Sequence, residues 1–351
     1  MNTDLASFAA DAREFIQGNF QGQSFLARAL ELFKLQFRGN PGYRAFCQSR
    51  GLGPDTPRDW TQIPSVPAAA FKELDLTSLA PFERTTCFQS SGTTGQKPSR
   101  HFHHASSLAV YEASLWQGFM SRFGNVNELV FLTPNPSAAP HSSLVHMFET
   151  LRRKSGLPEE AFTGHLAEDG SWAVDFVATR QKFLRAGDAQ KPLTILGTAF
   201  SFVHLCDWLA KQGLEFKLPA GSRVMETGGY KNRSRILPKA ELHEIICRRL
   251  GIALDNIISE YGMSELSSQA YAAADGRFEF PPWARVQIIS PETGREAGEG
   301  ETGLIRVLDL ANVFSVAAVQ TEDLGIRRGA GFELAGRAPV AEPRGCSLMT
   351  A

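Results

Sequence analysis

The spacing of apolar residues changes character twice along the chain. In the first sixty residues it is helical: Phe25, Leu26, Ala29, Leu32, Phe33 and Phe37 recur on one face, and Gly39 ends the run. Helix breakers follow between Gly51 and Pro67. From about residue 85, short apolar runs alternate with helical periods. Strands are expected at 128–133 (ELVFLT), 193–196 (LTIL), 222–226 and 257–260. Helices are expected at about 201–211 and at 238–250, the second opened by Pro238 and stopped by Gly251. Strands that alternate with helices predict an α/β fold with a largely parallel, helix-covered sheet.

Beyond Pro282 the segments shorten. Residues 285–289 and 304–308 read as β segments joined by a turn rich in Gly and Glu, and predict a smaller antiparallel lobe. The last residues hold Pro339 and Pro343 with little periodicity and read as a flexible arm. The expected division is one domain at 1–335 and the arm at 336–351. Within the domain, 1–84 is helical, 85–281 is the α/β core and 282–335 is the β lobe.

A chain of 351 residues suits a large α/β domain or two lobes sharing a core. Its formal net charge of −1, without charge blocks, argues against a nucleic-acid partner and a charged tail. The five cysteines are scattered, with no CxxC pair, so neither a disulfide framework nor a structural zinc site is expected. The N-terminus carries Asp4, Asp11 and Glu14 and lacks the apolar stretch of a signal peptide. No run approaches the roughly 18 apolar residues of a membrane span. A cytoplasmic location with reduced thiols is expected.

The densest chemistry lies at 90–97, SSGTTGQK. Ser90, Ser91, Thr93 and Thr94 supply short hydroxyls, while Gly92 and Gly95 let backbone N–H groups approach an anion. Lys97 adds a compact positive charge suited to a departing pyrophosphate. The spacing is not that of a Walker A loop, because Gly92 and Gly95 stand only three apart. A plain Ser/Gly linker is the other reading of these residues.

This loop resembles the phosphate loop of the adenylate-forming superfamily of acyl-activating enzymes, usually TSGTTGxPKG. Here Lys97-Pro98 stands where Pro-Lys is usual. Three further segments follow in the superfamily's order. Residues 261–265 (YGMSE) resemble YGxTE, 228–233 (GGYKNR) fall where the adenine loop does, and 321–325 (TEDLG) resemble TGDLG. The resemblance implies that Tyr261, Gly262, Gly228 and Gly229 lie at adenine. It implies that Ser264 meets the α-phosphate, that Glu265 helps to hold Mg²⁺, and that Asp323 takes the ribose hydroxyls of ATP. Those roles suit the residue types: a hard carboxylate oxygen for Mg²⁺ and a flat ring for a purine. Arg337 falls in a segment like the hinge GRxxD, without its aspartate.

The resemblance covers about residues 85–337 and implies the large N-terminal domain of the adenylate-forming fold: helix-covered mixed sheets plus a small β lobe. The superfamily's C-terminal lid domain, which supplies a lysine, is not expected here. Lys231 and Arg233 are the candidates for the cation that replaces that lysine at the α-phosphate. The chain is most similar to LuxE-type acyl-protein synthetases, which place the activated acyl group on a cysteine near their own C-terminus. That similarity implies Cys346 as nucleophile, in the segment RGCSL, with Arg344 favouring its thiolate. It also implies a carboxylic, fatty, acid as substrate and a LuxC-like acyl reductase or other acyl acceptor as partner. An incidental cysteine in a frayed tail is the competing reading of Cys346. An acyl- or aryl-CoA ligase of the phenylacetate type and a non-catalytic nucleotide-binding protein are the competing functions. His101, His103 and His104 read as polar packing or as part of the pocket rather than a metal site.

Overall fold

The computed structural model describes residues 3–18, 24–90, 97–124, 126, 128–228, 237–272 and 275–338. Helices α1 (Thr3–Ile16), α2 (Phe25–Gly39) and α3 (Pro41–Gln48) open it. The apolar stripe of the sequence is the buried face of α2, where Phe25, Ala29, Leu32, Phe33 and Phe37 enter the core. Asn40 turns the chain into α3 and caps it, its side chain accepting from the Tyr43 N–H at 3.1 Å. Strand β1 (Val66–Pro67) and the short helix α4 (Ala70–Glu73) follow. A hairpin comes next, β2 (Thr86–Gln89) against β3 (Arg100–His103), in register from Thr86–His103 to Gln89–Arg100.

The α/β core then unrolls as α5 (Ala105–Phe123), β4 (Leu129–Phe131) and α6 (Ser143–Lys154), with a small hairpin of β5 (Gly164–Leu166) and β6 (Trp172–Val174). It continues through α7 (Phe176–Ala189), β7 (Thr194–Thr198), α8 (Ala199–Lys211), β8 (Arg223–Thr227), α9 (Lys239–Leu250) and β9 (Ile257–Tyr261). These strands and helices lie within about two residues of those expected. The start of α8 at Ala199 rather than 201 follows from its cap, since Thr198 Oγ1 accepts from the Ser201 N–H at 3.0 Å.

Strands β4, β7, β8 and β9 pair in parallel, and alternation sorts their side chains onto two covered faces. Phe131, Leu196, Met225 and Ile258 pack with Phe119 and Phe148 of α5 and α6. Val130, Ile195, Val224 and Ile257 pack with Phe183, Phe202 and Ile246 of α7, α8 and α9. At the carboxyl ends the same strands turn polar, with Thr198, Glu226, Thr227 and Glu260. In open α/β sheets that edge is where ligands bind.

The sheet continues antiparallel through β10 (Ala270–Ala272), β11 (Arg277–Glu279), β12 (Ala284–Ile289), β13 (Thr302–Asp309), β14 (Ala318–Arg328) and β15 (Gly331–Arg337). Its order is β12-β13-β14-β15-β11-β10-β9-β8-β7-β4, with β1 beside β14. The expected lobe is antiparallel, yet it is one sheet with the core, joined through β15, β11 and β10. Strand β15 also passes the expected boundary at 335, because Gly336 and Arg337 pair with Leu324 and Asp323. The arm from 339 onward lies outside the described residues.

The N-terminal helices are built into this lobe. Gln36, fully buried, donates to Asn312 O at 2.7 Å and Val313 O at 3.0 Å and accepts from the Ala317 N–H at 2.9 Å. Arg306 Nη1 donates to Thr61 O at 2.8 Å. Among the described residues, no helix is long and apolar enough to cross a membrane.

Candidate functional site

The serine-rich loop joins β2 to β3, and its two ends are tied together. The Ser99 N–H donates to Ser90 Oγ at 2.9 Å, and the Ser90 N–H donates to Ser99 O at 3.3 Å. The clasp is anchored to the segment before α6, where the Gln89 N–H donates to His141 O at 2.9 Å. Lys97 is exposed and pairs with Glu73 of α4 at 3.2 Å. A surface pair of this kind contributes about 0–1 kcal/mol, so an anionic ligand can recruit the ammonium at small cost. Ser91, Gly92, Thr93, Thr94 and Gly95 lie outside the described residues.

Tyr261 ends β9 and meets the rings of Phe332, Phe278 and Phe280 edge-on, with centroids 5.4, 6.1 and 6.4 Å away. Its hydroxyl donates to Asp323 Oδ2 at 2.9 Å, and Arg337 Nε donates to Asp323 Oδ1 at 3.3 Å. Burial, then the Asp323 charge, pushes the phenol well above its ordinary pKa, so it stays a donor. Each Asp323 oxygen keeps a free lone pair, enough to accept a ribose hydroxyl. Gly228 follows β8 with φ +73°, the left-handed conformation that favours glycine. Gly262 has a different reason: a Cβ there would lie 2.3 Å from Glu260 Oε1. Gly229, Lys231 and Arg233 lie outside the described residues.

Glu265 is only 5% exposed. Burial raises its pKa, partly offset by the hydroxyls of Ser99 and Ser264, and Ser264 Oγ donates to Oε2 at 3.3 Å. A desolvated carboxylate gains most from a cation beside it. Among the described residues, no three His, Cys, Asp or Glu side chains form a ready metal cage. A single carboxylate fits Mg²⁺, which keeps waters and takes substrate phosphates as further ligands.

A buried polar network holds the 262–268 turn, and sequence reading missed it. His101 Nδ1 lies 2.6 Å from Ser264 O, tying the hairpin to the turn. Burial pushes His101 down to about 4, so the ring is neutral. Asn312 Nδ2 donates to Glu265 O at 2.9 Å. Asp309 accepts from the Ser267 N–H at 2.8 Å, Ser268 Oγ at 2.7 Å and the Ala311 N–H at 2.9 Å, and burial lifts its pKa to about 6. The available signal was Asp309 and Asn312 standing in the apolar run LIRVLDLANVFSVAAV.

Two further acids lie on opposite faces of the strand ends. Glu226 accepts from Ser259 Oγ at 2.5 Å, with His243 at 3.4 Å and Lys239 at 3.5 Å. Burial works against its ionisation, but these partners outweigh it and hold the pKa below the usual value. Glu260 accepts from Thr227 Oγ1, and burial, reinforced by Glu226, pushes it up to about 7.

The four described cysteines are poor nucleophiles. Burial lifts Cys47 to about 11 and Cys206 to about 12, and it raises Cys87 and Cys247 as well. Cys346 lies outside the described residues.

A sequence model of the family described as "Acyl-protein synthetase, LuxE" matches residues 4–351. The chain is 24% identical to a long-chain-fatty-acid–luciferin-component ligase of Vibrio harveyi, over 90% of this chain and 84% of that one. It is 23% identical to the protein of the same name from Aliivibrio fischeri, over 92% and 86%. Its fold is similar to that of a 2-hydroxyisobutyryl-CoA ligase structure, with TM-score 0.67 and 12% identity over 89% of this chain and 69% of that one.

Proposed function

The chain belongs to the LuxE family of acyl-protein synthetases, and we propose that it is the ligase that activates a carboxylic acid with ATP and carries the acyl group on its own Cys346. The acid's carboxylate oxygen attacks the α-phosphorus, the bond to the bridging oxygen breaks, and pyrophosphate leaves. The Cys346 thiolate then attacks the acyl carbon, AMP departs with the anhydride electrons, and a thioester forms.

One observation carries the first step. Tyr261 and Arg337 converge on the Asp323 carboxylate, so the end of β9 meets the β14–β15 hairpin that lies far from it in sequence. In this reading Tyr261, Gly262, Gly228 and Gly229 seat the adenine and Asp323 the ribose. Residues Ser90 to Gly95 and Lys97 hold the phosphates, and Ser264 faces the α-phosphate. Lys231 and Arg233 are proposed to balance its developing charge. Mg²⁺ at Glu265 would neutralise phosphate charge when bound.

The raised pKa values of the four described thiols leave Cys346 as the acceptor in this reading. The names of the two bacterial relatives point to a long-chain fatty acid, and a thioester on the chain suits an acyl reductase or other acceptor as partner.

Incubation with ATP, Mg²⁺ and labelled tetradecanoate tests the second step. Hydroxylamine-labile label on the protein should vanish in Cys346→Ser while carboxylate-dependent ATP–pyrophosphate exchange persists. Full labelling of that variant removes Cys346 from the mechanism.

A further inference from the structure

The α5 face of the strand ends holds polar groups that the nucleotide does not use. The hairpin turns Phe88, His101 and His103 inward, and the His103 ring lies 4.9 Å from Phe88 and 5.8 Å from Tyr111 of α5. Tyr271 of β10, in the same buried cluster as Phe88 and Tyr111, pairs with Glu260 of β9. Among the described residues, His103 Nε2 and the Tyr271 hydroxyl are buried and have no hydrogen-bond partner. Glu260, only 7% exposed, gives Oε2 to Thr227, while Oε1 lies against Gly262 at the turn after β9. Both Tyr111 and Tyr271 feel the charge of Glu260. An imidazole, a phenol and a carboxyl group therefore share one aromatic-walled region around Tyr111.

Buried polar atoms without partners cost free energy, and several in one place mark a spot where a ligand supplies the missing partner. An unsubstituted alkyl chain against them would leave His103 Nε2 and the Tyr271 hydroxyl without partners. A hydroxyl on the acid would donate its one hydrogen to Glu260 and accept from the Tyr271 phenol and from His103 Nε2–H, whereas an ammonium would donate to the Glu260 carboxylate, the phenol oxygen and the Nε2 lone pair. The His103 ring lies 4.3 Å from that of His101, whose Nδ1 is 2.6 Å from the carbonyl oxygen of Ser264, the residue proposed to face the α-phosphate, so the donor belongs close to the acid's carboxyl group.

We propose that the acid activated here carries a hydrogen-bond donor, a hydroxyl or an ammonium, near its carboxyl group, recognised by Glu260, Tyr271 and His103. The inference rests on the activation reading above and names the substrate class of that site.

Carboxylate-dependent ATP–pyrophosphate exchange with matched acids tests it: octanoate against its β-hydroxy and β-amino derivatives, and tetradecanoate against β-hydroxytetradecanoate. The full-length wild-type protein should show kcat/KM at least about tenfold higher for a substituted acid than for its parent. The hydroxy and amino arms identify which donor is used. In Tyr271→Phe and Glu260→Gln, both close in size to the native residues, that ratio should fall to within about twofold. Equal or better turnover of the unsubstituted parents by the wild type overturns the inference and leaves the activation reading standing. A ratio unmoved in both variants also overturns it. Exchange with no acid at all, with ATP still bound, defeats the activation reading and the inference together.

Discussion

The Tyr261 hydroxyl donates to Asp323 Oδ2 over 2.9 Å, although 62 residues separate the two. This bond joins the end of the last parallel strand to the centre of β14 in the antiparallel part of the sheet. It orients the carboxylate while the Phe278, Phe280 and Phe332 rings fix the phenol. Tyr261→Phe keeps the ring and loses the bond. KM for ATP should rise by roughly three- to tenfold, the worth of one hydrogen bond, and Asp323→Ala should raise it further. Pyrophosphate exchange at varied ATP reads both. An unchanged KM in Asp323→Ala would place the ribose elsewhere.

Glu265 should set the demand for divalent cation. In Glu265→Gln the shape is retained and the charge is lost, so half-saturation by Mg²⁺ should move up by about tenfold or more. Titrating Mg²⁺ at saturating ATP measures the shift. A superimposable titration curve would remove Glu265 from the metal site.

Gln36 is predicted to be a stability determinant. Gln36→Leu removes two bonds to the Asn312 and Val313 carbonyls and one from the Ala317 N–H, leaving these buried groups unsatisfied. The expected loss is about 2–4 kcal/mol in urea unfolding. Because Asn312 also holds Glu265 O, the same variant should raise the Mg²⁺ concentration needed for half-maximal exchange.

Two buried groups should shape stability against pH with opposite signs. His101 stays neutral in the fold down to about 4, whereas unfolded it titrates near 6.5. The unfolded state takes the proton first, so stability falls as pH drops from about 6.5 toward 4. Glu260 keeps its proton up to about 7 in the fold but loses it near 4.5 when unfolded. Its contribution is complete below 4.5 and is lost as pH rises through 7. Calorimetry should show His101→Gln flattening the acid limb of the Tm profile and Glu260→Gln the alkaline limb.

Local patterns in the chain were enough to find α2 and the parallel strands, because helical and strand periodicity are written residue by residue. Ser90, Tyr261, Gly262, Ser264, Glu265, Asp323 and Arg337 are proposed for the site by their type and order in the chain. The single sheet could not be seen, since β11 reaches β15 through long-range pairing of Arg277 with Glu333 and of Phe278 with Phe332. Nor could the task of the first helices, which depends on a bond from Gln36 to a carbonyl 276 residues away. The histidines were open to two readings until burial showed His101 as a neutral strut and His103 with one ring nitrogen unpaired.

The clasp between Ser90 and Ser99 has a further consequence. Bringing two points of a chain together costs conformational entropy that grows only with the logarithm of the intervening length, about 0.6 kcal/mol per doubling. The folded hairpin has already met that cost at its base before any nucleotide arrives. Residues added between the serines should therefore perturb the folded state little, whereas proline at 99 would delete the N–H that closes the ring. Loop length is the adjustable quantity at this site, and the clasp is the fixed one.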